Sequence, residues 1–148
     1  MFFLIFIVCL LLQITEAART DRFIFNITVY CRHNQAYDFN LIYEEIDITW
    51  LFKWNDDTIT DSEEHKGLMG PWSGIIHGQM NGDGLFAKRY EVLYEIWHTC
   101  TPDGSEHGNV GILDLEFEIG KDFKVRHDIH LRPSFEIDDF TVGASFYD

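Results

Sequence analysis

The sequence predicts an all-β fold: a two-sheet sandwich of seven to eight short, mostly antiparallel strands with one disulfide. Three observations carry that expectation. Apolar side chains recur at every second position along most of the chain, which is the period of a half-buried strand. Clusters of Gly, Pro, Asn and Asp punctuate those runs at short intervals, as in sandwiches and small barrels. Cys31 and Cys100 both fall on the apolar side of their runs, where two sulfurs can meet.

The chain opens with an unbroken apolar run from Met1 to Leu12, followed by Gln13 and by small residues at Thr15 and Ala17. The run is too short to span a bilayer and suits a secretory leader cut before Ala18. Residues 1–17 are therefore expected to be a signal peptide, and 18–148 one domain with a single core. Cys9 leaves with the leader, so two cysteines remain, an even count that points to one bridge in an oxidising compartment. The alternative is a pair of buried free thiols. Closing a loop of this length stabilises a fold by about 4 kcal/mol when the lost entropy of the unfolded chain dominates. The sequon Asn26-Ile27-Thr28 marks a glycosylation site consistent with that compartment. The 11 basic and 25 acidic residues give a formal charge of −14, which repels phosphate backbones and anionic lipid headgroups. Nucleic acid is thus not an expected partner, and no span is expected after leader removal.

The strands follow in order. Phe23, Phe25, Ile27, Val29 and Cys31 alternate with residues that include Asn26 and Thr28, so Asn26 is turned outward. Phe39, Leu41 and Tyr43 form a second, shorter run. Ile46, Ile48, Trp50, Phe52 and Trp54 give the clearest alternation, set against Asp47, Thr49, Lys53 and Asn55. From Asn55 to Gly74 the pattern lapses, and this stretch is expected to be loop. A brief strand is expected over Gly74–Gln79, then a tight turn at Asn81-Gly82-Asp83-Gly84. Asp83–Leu93 is the one place where a helical turn is conceivable. Tyr90, Val92, Tyr94, Ile96, His98 and Cys100 share an inward face, with Leu93 and Trp97 on the other. After the turn Pro102-Asp103-Gly104, Leu113, Leu115, Phe117 and Ile119 alternate with acidic residues. Phe123, Val125, His127, Ile129 and Leu131 repeat the pattern, and a less regular segment runs from Phe135 to Phe146.

Candidate chemistry is sparse. His98 and Cys100 share a strand face, as a zinc pair would, but no third ligand accompanies them and a bridged Cys100 cannot ligate. His127 and His130 are three apart on a strand and so lie on opposite faces. Asp56, Asp57, Asp61, Glu63 and Glu64 lack the ordered spacing of a calcium loop. Neither a nucleophile elbow nor a phosphate or dinucleotide fingerprint occurs. No cofactor or metal is expected. The outward Leu93 and Trp97 form a candidate contact patch.

Val29-Tyr30-Cys31, Leu41-Ile42-Tyr43-Glu44-Glu45 and Tyr94-Glu95-Ile96-Trp97-His98-Thr99-Cys100 together resemble the secreted transthyretin-like family of nematodes. That family has a cysteine ending its first strand and an apolar-x-His-x-Cys strand later. Ile119-Gly120-Lys121-Asp122-Phe123 is similar to its Ile-Pro-x-x-Tyr turn. Two departures stand out. Arg32-His33-Asn34-Gln35 replaces the usual Asn-Gly-x-Pro, and the chain ends Ala144-Ser145-Phe146-Tyr147-Asp148, without the Tyr-Arg-Gly-Ser tail of the related hydroxyisourate hydrolases. The resemblance implies a transthyretin-like sandwich with Cys31 bridged to Cys100 and His98 as a structural motif residue. The expected function is non-enzymatic, extracellular binding of a protein or small apolar ligand. The alternative is a secreted hydrolase using His98 and His127 with an acidic residue.

Overall fold

The computed structural model describes residues 19–46, 57–81, 88–132, 137–138 and 144–147. The expected leader, the strand expected from Ile46 to Trp54 apart from Ile46 itself, the turn beyond Asn81 and most of the last segment lie outside these residues. The strands, in chain order, are β1 (Thr20–Tyr30), β2 (Tyr37–Glu45), β3 (Asp57–Thr58), β4 (Glu63–Leu68), β5 (Trp72–Asn81), β6 (Arg89–Tyr90), β7 (Val92–His98), β8 (His107–Ile112), β9 (Phe117–Glu118), β10 (Phe123–His130), β11 (Ile137–Asp138) and β12 (Ala144–Phe146). No helix occurs among the described residues. The fold is all-β, as the alternation requires.

Two sheets face each other. The first has the order β12-β10-β1-β5, and the second β11-β8-β7-β2-β3, with β4 also paired to β2. β6 and β9 make a small third ladder. Most pairs are antiparallel; β1 with β10 and β11 with β8 are parallel. The alternation of β1 is followed to the residue, with Phe23, Phe25, Ile27 and Val29 wholly buried and Asn26 exposed. The same holds for Tyr37, Phe39, Leu41 and Tyr43 on β2, and for Val92, Tyr94, Ile96 and His98 on β7. Across the interface the Phe25 ring stacks on Tyr43 with centroids 3.9 Å apart, which ties the first sheet to the second at mid-height. Phe23, Tyr90, Phe117 and Phe123 fill one end, where ring centroids are 5.0 to 5.7 Å apart. Tyr37, Phe39 and Trp72 fill the other.

Four expectations need correction. The stretch from Asn55 to Gly74 is not all loop: β3 and β4 lie within it and pair with opposite ends of β2. Between them Ile59 and Thr60 are buried, and both backbone N–H groups donate to the Tyr43 carbonyl. The polar composition of β4 hid it, because an edge strand needs no apolar face of its own when its partner supplies the core. β5 runs ten residues from Trp72, not six from Gly74. His107–Ile112 forms a strand that the sequence reading passed over. Gly108, Asn109 and Gly111 line its buried positions, so it carries no apolar alternation. Gly111 has no side chain because Tyr94 occupies the space: a Cβ there would lie 2.6 Å from the ring. Finally, the described part of Asp83–Leu93 is extended, in β6 and β7, rather than helical. Leu113 and Phe117 do alternate inward, but only Phe117–Glu118 pairs as a strand.

Candidate functional site

The end of the sandwich where β1 finishes is closed by the disulfide. Cys31 directly follows β1 in the first sheet and Cys100 lies just past β7 in the second, with Cα atoms 5.8 Å apart, so the bridge joins the two sheets. His98 organises the same corner. Its Nδ1 accepts the backbone N–H of Cys100 at 3.2 Å, so Nε2 carries the proton and donates to Asn109 Oδ1 at 2.8 Å. That oxygen also accepts the backbone N–H of Arg132 at 3.2 Å. One imidazole thus ties β7, β8 and the segment after β10 beside the bridge. Burial pushes its pKa below the ordinary histidine range, partly opposed by the Asn109 bond, and keeps it neutral. Both ring nitrogens are engaged and the Cys100 sulfur is bridged, so the pair has nothing left to offer a metal.

His127, on β10, is buried in the centre of the sandwich between the rings of Tyr43 and Tyr94. Its Nδ1 lies 2.8 Å from the Tyr43 hydroxyl. Burial raises the Tyr43 pKa well above the phenol range, so the hydroxyl keeps its proton and donates to Nδ1. The same burial pushes His127 down to about 3, and Nε2 has no hydrogen-bond partner. The bonds to the two histidines come from Tyr43, Asn109 and the backbone, not from a carboxylate, and both rings are sealed from solvent. A hydrolase built on them would need a carboxylate beside a ring that a substrate can reach. His130 is exposed and stacks on Tyr30, on the face opposite His127, as strand geometry requires.

The outward face of the second sheet carries the predicted contact patch. Trp97 is 44% exposed, and Leu93 is half-buried. They share a face but do not touch as a pair, since Glu95 stands between them and four residues of strand span about 13 Å. Cross-strand register gives each its own neighbour. Leu93 faces Ile112, which is 49% exposed, and Glu95 faces Val110. Trp97 faces Gly108, where a Cβ would come within 3.2 Å of the indole, so the ring lies over bare backbone. A shallow groove of about 520 Å³ runs beside Trp97, lined also by Asn40, Glu64, Lys66, Thr99 and Glu106. The surface is an apolar patch interrupted by Glu95, with Glu64 and Glu106 at the rim beside Trp97. Ile112 was missed because it sits one residue out of phase with Leu113, outside the run that the alternation picked out.

On the outward face of the first sheet Asn26 is exposed at mid-strand, with Ile75 of β5 on one side and Arg126 of β10 on the other. A wider cleft of about 990 Å³ opens at the end away from the disulfide, lined in part by Arg22, Asp57, Asp61, His77, Asp122 and Lys124. Within it Asp122 pairs with Arg22 at 3.4 Å, and it also meets Arg19, outside the cleft lining, at 3.3 Å. Of the predicted acidic loop, Glu63 and Glu64 lie on β4, and Glu64 pairs with Lys66 at 2.7 Å. Asp56 lies outside the described residues.

Sequence reasoning also passed over Asp21. It is wholly buried on β1, where Oδ2 accepts the Tyr90 hydroxyl at 2.8 Å and the Gly120 N–H at 2.6 Å, and Oδ1 faces the Arg19 guanidinium at 3.3 Å. Its position two residues before Phe23, in phase with the inward side chains, was the available sign. Among the described residues no helix is long and apolar enough to cross a membrane. Comparison with known proteins finds no matching family model and no matching curated protein.

Proposed function

We propose that this chain is a secreted, non-enzymatic binding protein of the transthyretin-like family, and that the outward face of its second sheet meets a protein or small apolar ligand. The observation that carries this reading is the strip formed by Leu93, Val110, Ile112 and Trp97. Ile112 and Trp97 stay exposed there, beside half-buried Leu93 and Val110, on a sheet whose other face already packs the core. Trp97 is the anchor: a flat, half-exposed indole over glycine is the residue type and placement that dominate binding hot spots. The apolar opening run, the cysteine pair and the family-like His98-Thr99-Cys100 segment support the extracellular setting.

The test compares the oxidised parent with Trp97→Glu in affinity capture from the source organism's extracellular fluid. Trp97 lies on the solvent side, so the variant folds as the parent does. A partner that co-elutes with the parent and is lost by about tenfold or more with Trp97→Glu supports the reading. A partner retained equally by both proteins moves the binding surface elsewhere.

A further inference from the structure

We propose that Asn26 carries an N-linked glycan whose task is to cover Ile75 and the free edge of β5, so that the first sheet cannot pair with a second copy of itself. The inference rests on the secreted reading above and adds to it. Its starting point is register. Asn26 is the centre of the outward face of β1, and its cross-strand partner on β5 is Ile75, 60% exposed. Side chains so paired have Cβ atoms about 5 Å apart, so a sugar on Asn26 stands directly over Ile75.

Among the described residues β5 is an edge strand, met on its open side only at one end, by the Ile59–Thr60 segment. Among the described residues its ladder is to β1 alone. On the open side, among the described residues, the Gln79 N–H donates to the Ile59 carbonyl at one end. By alternation Ser73, Ile75 and His77 direct their backbone groups the same way as Gln79, toward solvent. Exposed edges are normally protected by charge, proline or a bulge. Here the outward side chains are Ser73, Ile75, His77 and Gln79, none with a fixed charge, and the pairing with β1 runs from Thr20↔Asn81 to Val29↔Trp72 without a break in register. In a chain of formal charge −14 this edge carries no Asp, Glu, Lys or Arg at its outward positions and has an exposed isoleucine at its centre. Thr28, which completes the sequon, faces the same way two residues on, and its hydroxyl lies 3.4 Å from that of Ser73. A bulky hydrophilic group at Asn26 supplies the missing protection.

The modification forms a bond from the Asn26 side-chain nitrogen to the anomeric carbon of an oligosaccharide. The bond from that carbon to the diphosphate of a lipid-linked donor breaks, and the amide proton leaves with the diphosphate. Because the transfer precedes folding, a mid-strand acceptor is no obstacle.

The full chain, leader included, is expressed in a eukaryotic secretory host, and Asn26 occupancy is read by glycopeptide mass. Self-association is followed by sedimentation for the parent, Asn26→Gln, Thr28→Ala and the double variant Asn26→Gln with Ile75→Lys. The expected result is an occupied, monomeric parent. Both sequon variants, with unchanged near-ultraviolet circular dichroism, should associate at least about tenfold more tightly, and the lysine should return the double variant to monomer. A secreted parent with bare Asn26 overturns the proposal, as do sequon variants that stay as monomeric as the parent. A chain retained in the cell with its leader uncut overturns the secreted reading itself.

Discussion

At the scale of single residues, the buried polar groups set the response to pH. His127 is neutral in the folded protein and pushed down to about 3, whereas in the unfolded chain it titrates near 6.5. The unfolded state therefore binds a proton that the folded state refuses as pH drops below 6.5, so stability is full above that value and declines toward 3. Between pH 7 and pH 5 this one ring lowers stability by about 2 kcal/mol, and His98, shifted in the same direction, adds to it. Denaturant unfolding at the two pH values checks this. His127→Phe should shrink the difference by about 2 kcal/mol, while lowering stability at pH 7 by about 1–3 kcal/mol because the Tyr43 hydroxyl loses its acceptor. Asp21 offers a second test, since Asp21→Ala leaves the Tyr90 hydroxyl and the Gly120 N–H without their acceptor. The expected loss in urea unfolding is about 2–4 kcal/mol. A loss below 1 kcal/mol would mean that water takes the place of the carboxylate.

At the scale of elements, β7 and β8 show how one ladder serves both the core and the surface. Tyr94 and Trp97 each lie against a glycine of β8, but the two contacts differ in freedom. The Tyr94 ring is buried against His127, and a Cβ at Gly111 would stand 2.6 Å from it with nowhere for the ring to go. The Trp97 indole is half in solvent and only 3.2 Å from a Cβ at Gly108, so it can lift away. Gly111→Ala is expected to destabilise by about 1–3 kcal/mol, and Gly108→Ala by clearly less. Thermal unfolding of the two variants side by side decides it, and equal shifts would contradict the packing argument. β8 also explains why part of the sheet could not be read from sequence. Its inward positions include Asn109 and Gly111, which fit His98 and the Tyr94 ring of the neighbouring strand, while Gly108 is covered by Trp97 on the outward face. A strand whose side of the contact is empty space leaves no apolar period.

At the scale of the whole molecule, the bridge and the Phe25–Tyr43 stack are separate ties between the sheets. Reducing the bridge, whose cysteines are 69 residues apart in sequence, removes the constraint on the unfolded chain and should cost about 4 kcal/mol. Guanidinium unfolding with and without reductant measures this. The folded baseline should keep its far-ultraviolet spectrum, because the core is otherwise intact. A change below 1 kcal/mol would show that the unfolded chain is already confined by other means.

The alternation along β1, β2, β7 and β10 by itself determined that the protein is all-β, a sandwich or small barrel, which side chains on these strands face its interior, and that Cys31 and Cys100 lie on that side. Period two is a local property of an extended backbone, so it is legible wherever one face is buried. What only the tertiary structure decided were the features that depend on a partner strand. The presence of β4 and β8, the parallel pairing of β1 with β10, the separation of Leu93 from Trp97 by Glu95, and the place of Asn26 beside Ile75 all follow from which strand lies next to which. Those neighbours are fixed by packing between residues far apart in sequence, and no local period encodes them.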